Sequence, residues 1–226
     1  MSKRIKTARL ALAAALMAAG ATGARASSMT FNLARLGDSS TCGRKCPEVI
    51  SAVGEITQST PRDFASFVAE NIDDRRLHSI VFLHSPGGSV SASMQLGQMF
   101  RKVGMAAVVA QFAPTGSGSA LVASGRCYSA CAYALMGARK RVVPAHSYVG
   151  IHRMSFVEDE HDILTNSDTR RRVYAGQNYV DALAKYASSM GVSPQVIYSA
   201  EHVSPENLHI VTPAELRGWR LGTQKF

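Results

Sequence analysis

The sequence predicts a single α/β domain on a mainly parallel sheet, and three observations predict it. Two short apolar runs that do not alternate, 79–83 (SIVFL) and 106–110 (AAVVA), read as strands buried on both faces. Segments with helical spacing of apolar residues lie between and after such runs. No repeat and no shift in composition divides the chain beyond residue 26. Hydrophobic residues make up 46% of the 226 and charged residues 18%, enough for one core and too ordinary for a disordered, collagen-like or low-complexity protein.

In chain order, Lys3, Arg4, Lys6 and Arg9 form a basic start, 10–19 is apolar and small, and Ala24-Arg25-Ala26 is an A-x-A cleavage site. That order is a secretory signal peptide over 1–26, with an apolar run too short to span a bilayer. No Cys follows closely, which argues against a lipid-anchored form. Removing the segment takes five basic residues and no acidic one, so the formal charge falls from +9 to +4. The expectation is an exported protein, in the bacterial periplasm or secreted, with no nucleic-acid footprint and no membrane attachment after processing. Export makes disulfides the first reading of four cysteines. Three pairings are open. Local pairing of Cys42 with Cys46 and of Cys127 with Cys131 is preferred over a four-cysteine zinc site, because C-x3-C is not the usual zinc knuckle.

Residues 27–52 read as an irregular lead-in to about Pro47 and a first strand carrying Val49 and Ile50, with the main domain over 53–226. Phe64, Phe67 and Val68 set a helix over 61–71, with Thr60 as its cap. After the strand at 79–83, Ser85-Pro86-Gly87-Gly88-Ser89 turns the chain into a helix reaching Lys102. Beyond the strand at 106–110, residues 112–125 read as a loose Gly/Ser-rich connection containing Gly116-Ser117-Gly118-Ser119. A helix of small residues follows over 129–138. Short strands come next at Val142–Val143 and 147–152. A long helix is expected over 165–190, with Arg170, Arg171 and Arg172 on its solvated face, and shorter helices over 193–199 and 213–219. The acidic run Glu158-Asp159-Glu160-His161-Asp162 reads as a solvated loop and not a metal site, since consecutive residues cannot all face one ion. No metal and no cofactor is expected.

Three junctions carry the chemistry. Gly87 and Gly88 let the backbone turn sharply and approach a ligand, and the amides there suit a developing oxyanion. Ser129, opening a helix of small residues, can project its hydroxyl as a nucleophile, with the Ala130 N–H as a second oxyanion donor. His152 ends the apolar strand Tyr148-Val149-Gly150-Ile151, where it can act as general base. A Cys127–Cys131 bridge would pin the backbone on both sides of Ser129 and remove two competing thiols.

Taken in order, Gly54-Glu55-Ile56, Ser85-Pro86-Gly87-Gly88-Ser89-Val90, Ser129 within a small-residue helix and Gly150-Ile151-His152 resemble the Clp protease proteolytic subunit and its crotonase-like superfamily. More closely, Cys127-Tyr128-Ser129-Ala130-Cys131 is similar to the Cys-x-Ser-x-Cys segment of predicted exported, periplasmic Clp-fold proteins. The resemblance runs from about Val53 to Leu221. It implies a spiral of ββα units, a nucleophile at Ser129, a base at His152 and oxyanion amides at Gly88 and Ala130. It also implies a peptide or protein substrate and, since relatives form rings, a homo-oligomer. Tyr128 and Ala130 replace the Gly and Met that flank the family's Ser. Aligning Thr212-Pro213-Ala214-Glu215-Leu216 with the family's helix start puts Leu208 where the third, acidic member belongs. Glu206 or Asn207 could substitute, and Glu201 is a weaker candidate. The expected function is an exported serine peptidase with a Ser–His dyad or degenerate triad. The alternative is a catalytically inactive Clp-fold protein that binds peptides. A Ser–Lys mechanism has only Lys140, Lys185 and Lys225 to draw on, none in an apolar segment. Acyl-CoA chemistry of the crotonase type conflicts with export.

Overall fold

The computed structural model describes residues 27–37, 42–71, 77–114, 120–162 and 166–226. The predicted signal segment and Gly116-Ser117-Gly118-Ser119 lie outside the described residues. The architecture is α/β, and its central strand pairs are parallel. Strands β1 (Thr30–Arg35), β2 (Glu48–Val53), β3 (Leu77–His84), β4 (Ala106–Pro114) and β5 (Ala120–Ser124) lie side by side in that order. The pairs β2–β3 and β3–β4 are parallel, as the apolar runs predicted, and β1 and β5 join antiparallel at the two edges. β5 shares the outer edge of β4 with β7 (Lys140–Val142), which pairs parallel with the first half of that strand.

Two segments that read as irregular are therefore strands. Thr30–Arg35 is half-buried at Phe31, Leu33 and Ala34, and Phe31 packs against Phe64 and Phe67 at ring separations of 5.3 and 6.0 Å. Within 112–125, the end of β4 and β5 pair directly, with Phe112 opposite Val122, and Phe112 stacks on Phe82 at 5.0 Å. Both strands owe their existence to a neighbour across the sheet, which local propensity does not report.

Helix α1 (Thr60–Asn71) begins where Thr60 Oγ1 accepts the Thr57 N–H at 2.9 Å. Helix α2 (Val90–Lys102) is capped by Ser89, whose hydroxyl accepts the Ala92 N–H at 3.3 Å. Helix α3 (Cys131–Gly137) is buried along its whole length. It crosses α2 at Gly97 and Gly137, so close that a Cβ on Gly137 would stand 2.0 Å from the Gly97 carbonyl oxygen. The Tyr186 hydroxyl seals this crossing by donating to the Tyr133 carbonyl at 2.8 Å. Tyr186 lies on α4 (Gln177–Ser189), and α5 (Gln195–Glu201) follows.

The long helix expected over 165–190 begins only at Gln177. Ahead of it, β9 (Ser155–Asp162) and β10 (Ser167–Tyr174) form an antiparallel hairpin. The acidic run is thus a strand and not a loop, and the three arginines lie on its partner. The register sets Glu158 opposite Arg171 and Asp159 opposite Arg170, with Arg171 and Glu158 paired at 3.7 Å. Pairing across the hairpin is a non-local feature that the helical propensity of this segment does not report.

A second, small sheet joins β6 (Arg126–Tyr128), β8 (Tyr148–Ile151) and β11 (His209–Ile210). It meets the end of β3 through Ser85, whose N–H donates to the Arg126 carbonyl at 2.8 Å and whose carbonyl accepts the Tyr128 N–H at 3.0 Å. The last helix, α6 (Pro213–Gly218), starts in a capping box made by Thr212 and Glu215. One core, including Phe64, Leu96, Phe100 and Leu135, fills the space between the sheets and helices. A smaller cluster of Val49, Phe82, Val108, Ala110 and Val142 covers the other face of the main sheet. No described helix is long and apolar enough to cross a membrane.

The α2–α3 crossing leaves no room for a Cβ on Gly137. Gly137→Ala should cost roughly 1–3 kcal/mol or more, because the obstructing atoms are backbone and cannot swing aside. Urea denaturation of both forms measures this, and an unchanged midpoint would refute the contact.

Candidate active site

The site is assembled where the main sheet, the small sheet and two helix starts meet. Gly87 and Gly88 sit in the left-handed half of backbone space, at φ +112° and +127°. Gly88 forms a parallel bridge with Ile56. In that bridge the Ile56 N–H donates to the Gly87 carbonyl and the Ile56 carbonyl accepts from the Ser89 N–H, both at 2.7 Å. The bonds engage the residues on either side of Gly88, so its own amide faces away from Ile56 and has no acceptor among the described residues. A side chain at either glycine is sterically excluded. A Cβ at 88 would stand 2.2 Å from the Ile56 carbonyl oxygen, and one at 87 would meet the Tyr128 oxygen at 2.8 Å and the Ser129 Cβ at 2.9 Å.

Ser129 occupies the turn between β6 and α3 with φ +53°, a left-handed conformation unusual for a residue with a Cβ. The turn is held from several sides. The Tyr128 N–H donates to Ser85, the Ser129 N–H donates to the Gly150 carbonyl at 2.8 Å, and the Ser129 carbonyl accepts from Ala132 at 3.1 Å. Cys127 and Cys131, both fully buried, are joined as a disulfide that spans the turn, and Cys42 and Cys46 form a second bridge. The Ala130 N–H has no acceptor among the described residues. A strained serine followed by a free amide at a helix start is the arrangement that presents a nucleophile beside an oxyanion donor.

His152 follows directly after β8 and is half-buried. Its Nδ1 lies 2.9 Å from the Arg153 carbonyl oxygen. A carbonyl can only accept, so Nδ1 carries the proton and Nε2 is left as the basic nitrogen. Arg153 is itself held firmly. Its N–H donates to the Val203 carbonyl at 2.8 Å, its Nε pairs with Glu201 at 3.0 Å, and its guanidinium lies 4.3 Å over the Tyr174 ring of the hairpin. Ser129 and His152 line one pocket with Gly88 and Ala130, and are not hydrogen-bonded to each other. Met136, Ile151, Met154, Val196 and Ile197 make the rest of its wall largely apolar. Burial, then the nearby Glu201 carboxylate, push the Tyr133 phenol well above its usual range, so this wall residue stays neutral.

Of the residues expected to complete a triad, Glu206 is close enough for His152 to act on its carboxyl electrostatically, as the smallest of several causes. Glu206 is exposed, pairs with Arg172 and accepts from the Ser204 hydroxyl; that hydrogen bond is the main reason its carboxyl titrates below the usual range. Asn207 is exposed, and its N–H donates to the Ser204 carbonyl. Neither is hydrogen-bonded to His152. Leu208 packs where a side chain at Gly150 would go, 2.5 Å from that Cβ position. Glu201 is paired with Arg153. The Arg153 carbonyl as the partner of Nδ1 could not have been found from residue types, because every residue carries a carbonyl. Lys140, Lys185 and Lys225 are exposed and do not line the pocket.

With this geometry in place, comparison with solved structures shows a shared fold. A mutant of the 1510-N membrane-bound stomatin-specific protease superposes with a TM-score of 0.52 at 14% identity, covering 78% of each chain. A second mutant of that protease, in complex with a substrate peptide, gives 0.51 at 16%, covering 78% of this chain and 74% of the other. ClpP1 from Listeria monocytogenes, also a mutant form, gives 0.44 at 16%, covering 74% and 84%. No family model matches the sequence, and no curated protein matches it. The chain therefore shares its α/β fold with the solved structures of that stomatin-specific protease.

The bridge across the Ser129 turn closes a short loop. By the chain-entropy estimate, replacing Cys127 and Cys131 together by Ala should lower stability by about 2 kcal/mol. Denaturation of the variant beside the parent checks this, and equal stability would show that the bridge constrains nothing.

Proposed function

We propose that the chain is an exported serine hydrolase that cleaves peptide bonds. The observation that carries the reading is the left-handed Ser129 in one pocket with His152, Gly88 and Ala130, where the last two have amides with no acceptor among the described residues. A fold shared with proteases, one of them described with a substrate peptide, agrees with it. Export is part of the proposal and rests on the N-terminal 26 residues and the paired cysteines.

In this reading the Ser129 Oγ attacks the scissile carbonyl carbon while His152 Nε2 takes the hydroxyl proton. The carbonyl oxygen becomes an oxyanion and accepts from the Gly88 and Ala130 amides, whose dipoles are already oriented. Collapse breaks the C–N bond, and the proton on Nε2 passes to the departing amine. Water, deprotonated by the same nitrogen, then releases the acyl group and restores Ser129. The third-member role falls to the Arg153 carbonyl, which fixes the tautomer and orientation of the ring without supplying a full charge. Ser129 and His152 close into contact when substrate fills the pocket, as such pairs tighten in the reactive complex.

A second reading, a peptide-binding protein without turnover, is favoured by the missing Ser129–His152 hydrogen bond and the absence of a carboxylate on Nδ1. A fluorophosphonate serine probe separates the two. It should label the parent chain and spare Ser129→Ala, and peptide turnover should fall about 10²–10⁴-fold in His152→Ala. Glu206→Gln should leave turnover near the parent level. A parent chain that resists the probe yet retains peptide in the pocket would establish the second reading. N-terminal analysis of the exported protein should find Ser27 first, and an uncleaved Met1 would count against the signal segment.

A further inference from the structure

Away from the Ser129 pocket, a cleft of about 360 Å³ opens between β7 and the end of α6. Arg139, Lys140, Arg141, Arg217 and Arg220 line it together with Gly222 and Thr223, and no carboxylate does. None of these residues lines the serine pocket.

Part of this charge has a structural explanation. Arg141 donates to the Ala138 carbonyl at 2.7 Å and to the Arg220 carbonyl at 2.9 Å, which places it on the carbonyl-rich end of α3. Lys140 lies 4.8 Å over the Phe226 ring. Arg139, Arg217 and Arg220 pair with no carboxylate among the described residues, and their side chains are exposed. Even Arg141 keeps one donor unused, since its Nε is buried without an acceptor. Crowding is evident there, because burial first and then the charges of Arg101 and Arg220 make the Arg141 guanidinium easier to deprotonate than usual.

The backbone points the same way. Arg220 has φ +54° and ends α6 in a Schellman turn, with the Leu221 N–H donating to Leu216 at 2.9 Å and the Arg220 N–H to Arg217 at 3.0 Å. The left-handed position of that turn favours glycine. Here an arginine occupies it, with glycines available at 218 and 222 on either side. The fold accepts a strained backbone and gains a cation in the cleft.

We infer that this cleft is a second binding site, for a phosphate-bearing anion with more than one negative charge. Guanidinium forks match the geometry of phosphate oxygens, and several arginines lining one cleft without a carboxylate favour a multiply charged group over a single carboxylate. The cleft volume is in the range of small-ligand sites, roughly 300–1,000 Å³. The phosphate could belong to a soluble molecule or to a lipid headgroup.

Titration calorimetry of the full mature chain with inorganic tripolyphosphate tests the site, alongside flotation with phosphatidylcholine vesicles with and without phosphatidic acid. One saturable equivalent is expected at physiological salt, weakened about tenfold by Arg217→Gln and unchanged by Lys185→Gln, which removes the same charge elsewhere. Arg220→Gly is decisive, because it relieves the backbone: it should raise the melting temperature while weakening binding. Saturable tripolyphosphate binding identifies a soluble ligand, and binding only to phosphatidic acid vesicles, lost in the same variants, identifies a headgroup. Absence of binding to both probes, or binding that Arg217→Gln and Lys185→Gln reduce equally, overturns the inference.

Discussion

The site depends on one close approach, between the glycine turn after β3 and the serine turn before α3. Gly87 lies so near the Tyr128 carbonyl and the Ser129 Cβ that a methyl group would not fit between them. Gly88 and Ala130, the next residues along each turn, line one pocket with Ser129. The small sheet bears on that close approach, because Ser85 joins the end of β3 to β6. A fold tolerates such proximity only where backbone polar groups are satisfied by each other, and here Ser85 bonds to the strand on both sides of Cys127.

The conformation of Ser129 carries an energetic cost, of order 1–3 kcal/mol for a left-handed residue with a side chain. It persists because the surroundings over-determine it. A bond from its own amide to Gly150 anchors one side, the turn into α3 the other, and the disulfide restrains the two flanking positions together. Gly150 cannot carry a side chain either, since Leu208 and Tyr128 occupy that space. Leu208 therefore has a packing role at the position where the resemblance would place an acid, and the imidazole takes a main-chain partner.

Arg153 links the imidazole to parts of the fold that are distant in sequence. Its backbone orients His152, its amide is tied to Val203, and its side chain bridges Glu201 on α5 and Tyr174 on the hairpin. Among the described residues the hairpin pairs with no other strand, and side-chain contacts such as this one and that of Phe156 with Tyr179 hold it to the rest of the chain.

From the sequence by itself came what is encoded within a few residues. The buried runs of β3 and β4, the two-glycine turn with a helix after it, the helix start at Thr212-Pro213, and the four-residue spacing of each cysteine pair are all of that kind. Such features follow from side-chain period, turn chemistry and chain reach, which neighbouring residues determine together. Tertiary structure alone decided the strand at Thr30–Arg35, the continuation of β4 into a hairpin with β5, and the pairing of an acidic with a basic strand in place of a long helix. It alone decided that Nδ1 of His152 meets a carbonyl and that five cations face one cleft. Each of these rests on groups from separate stretches meeting across a sheet or a core, and their energies exist only once the chain has closed on itself.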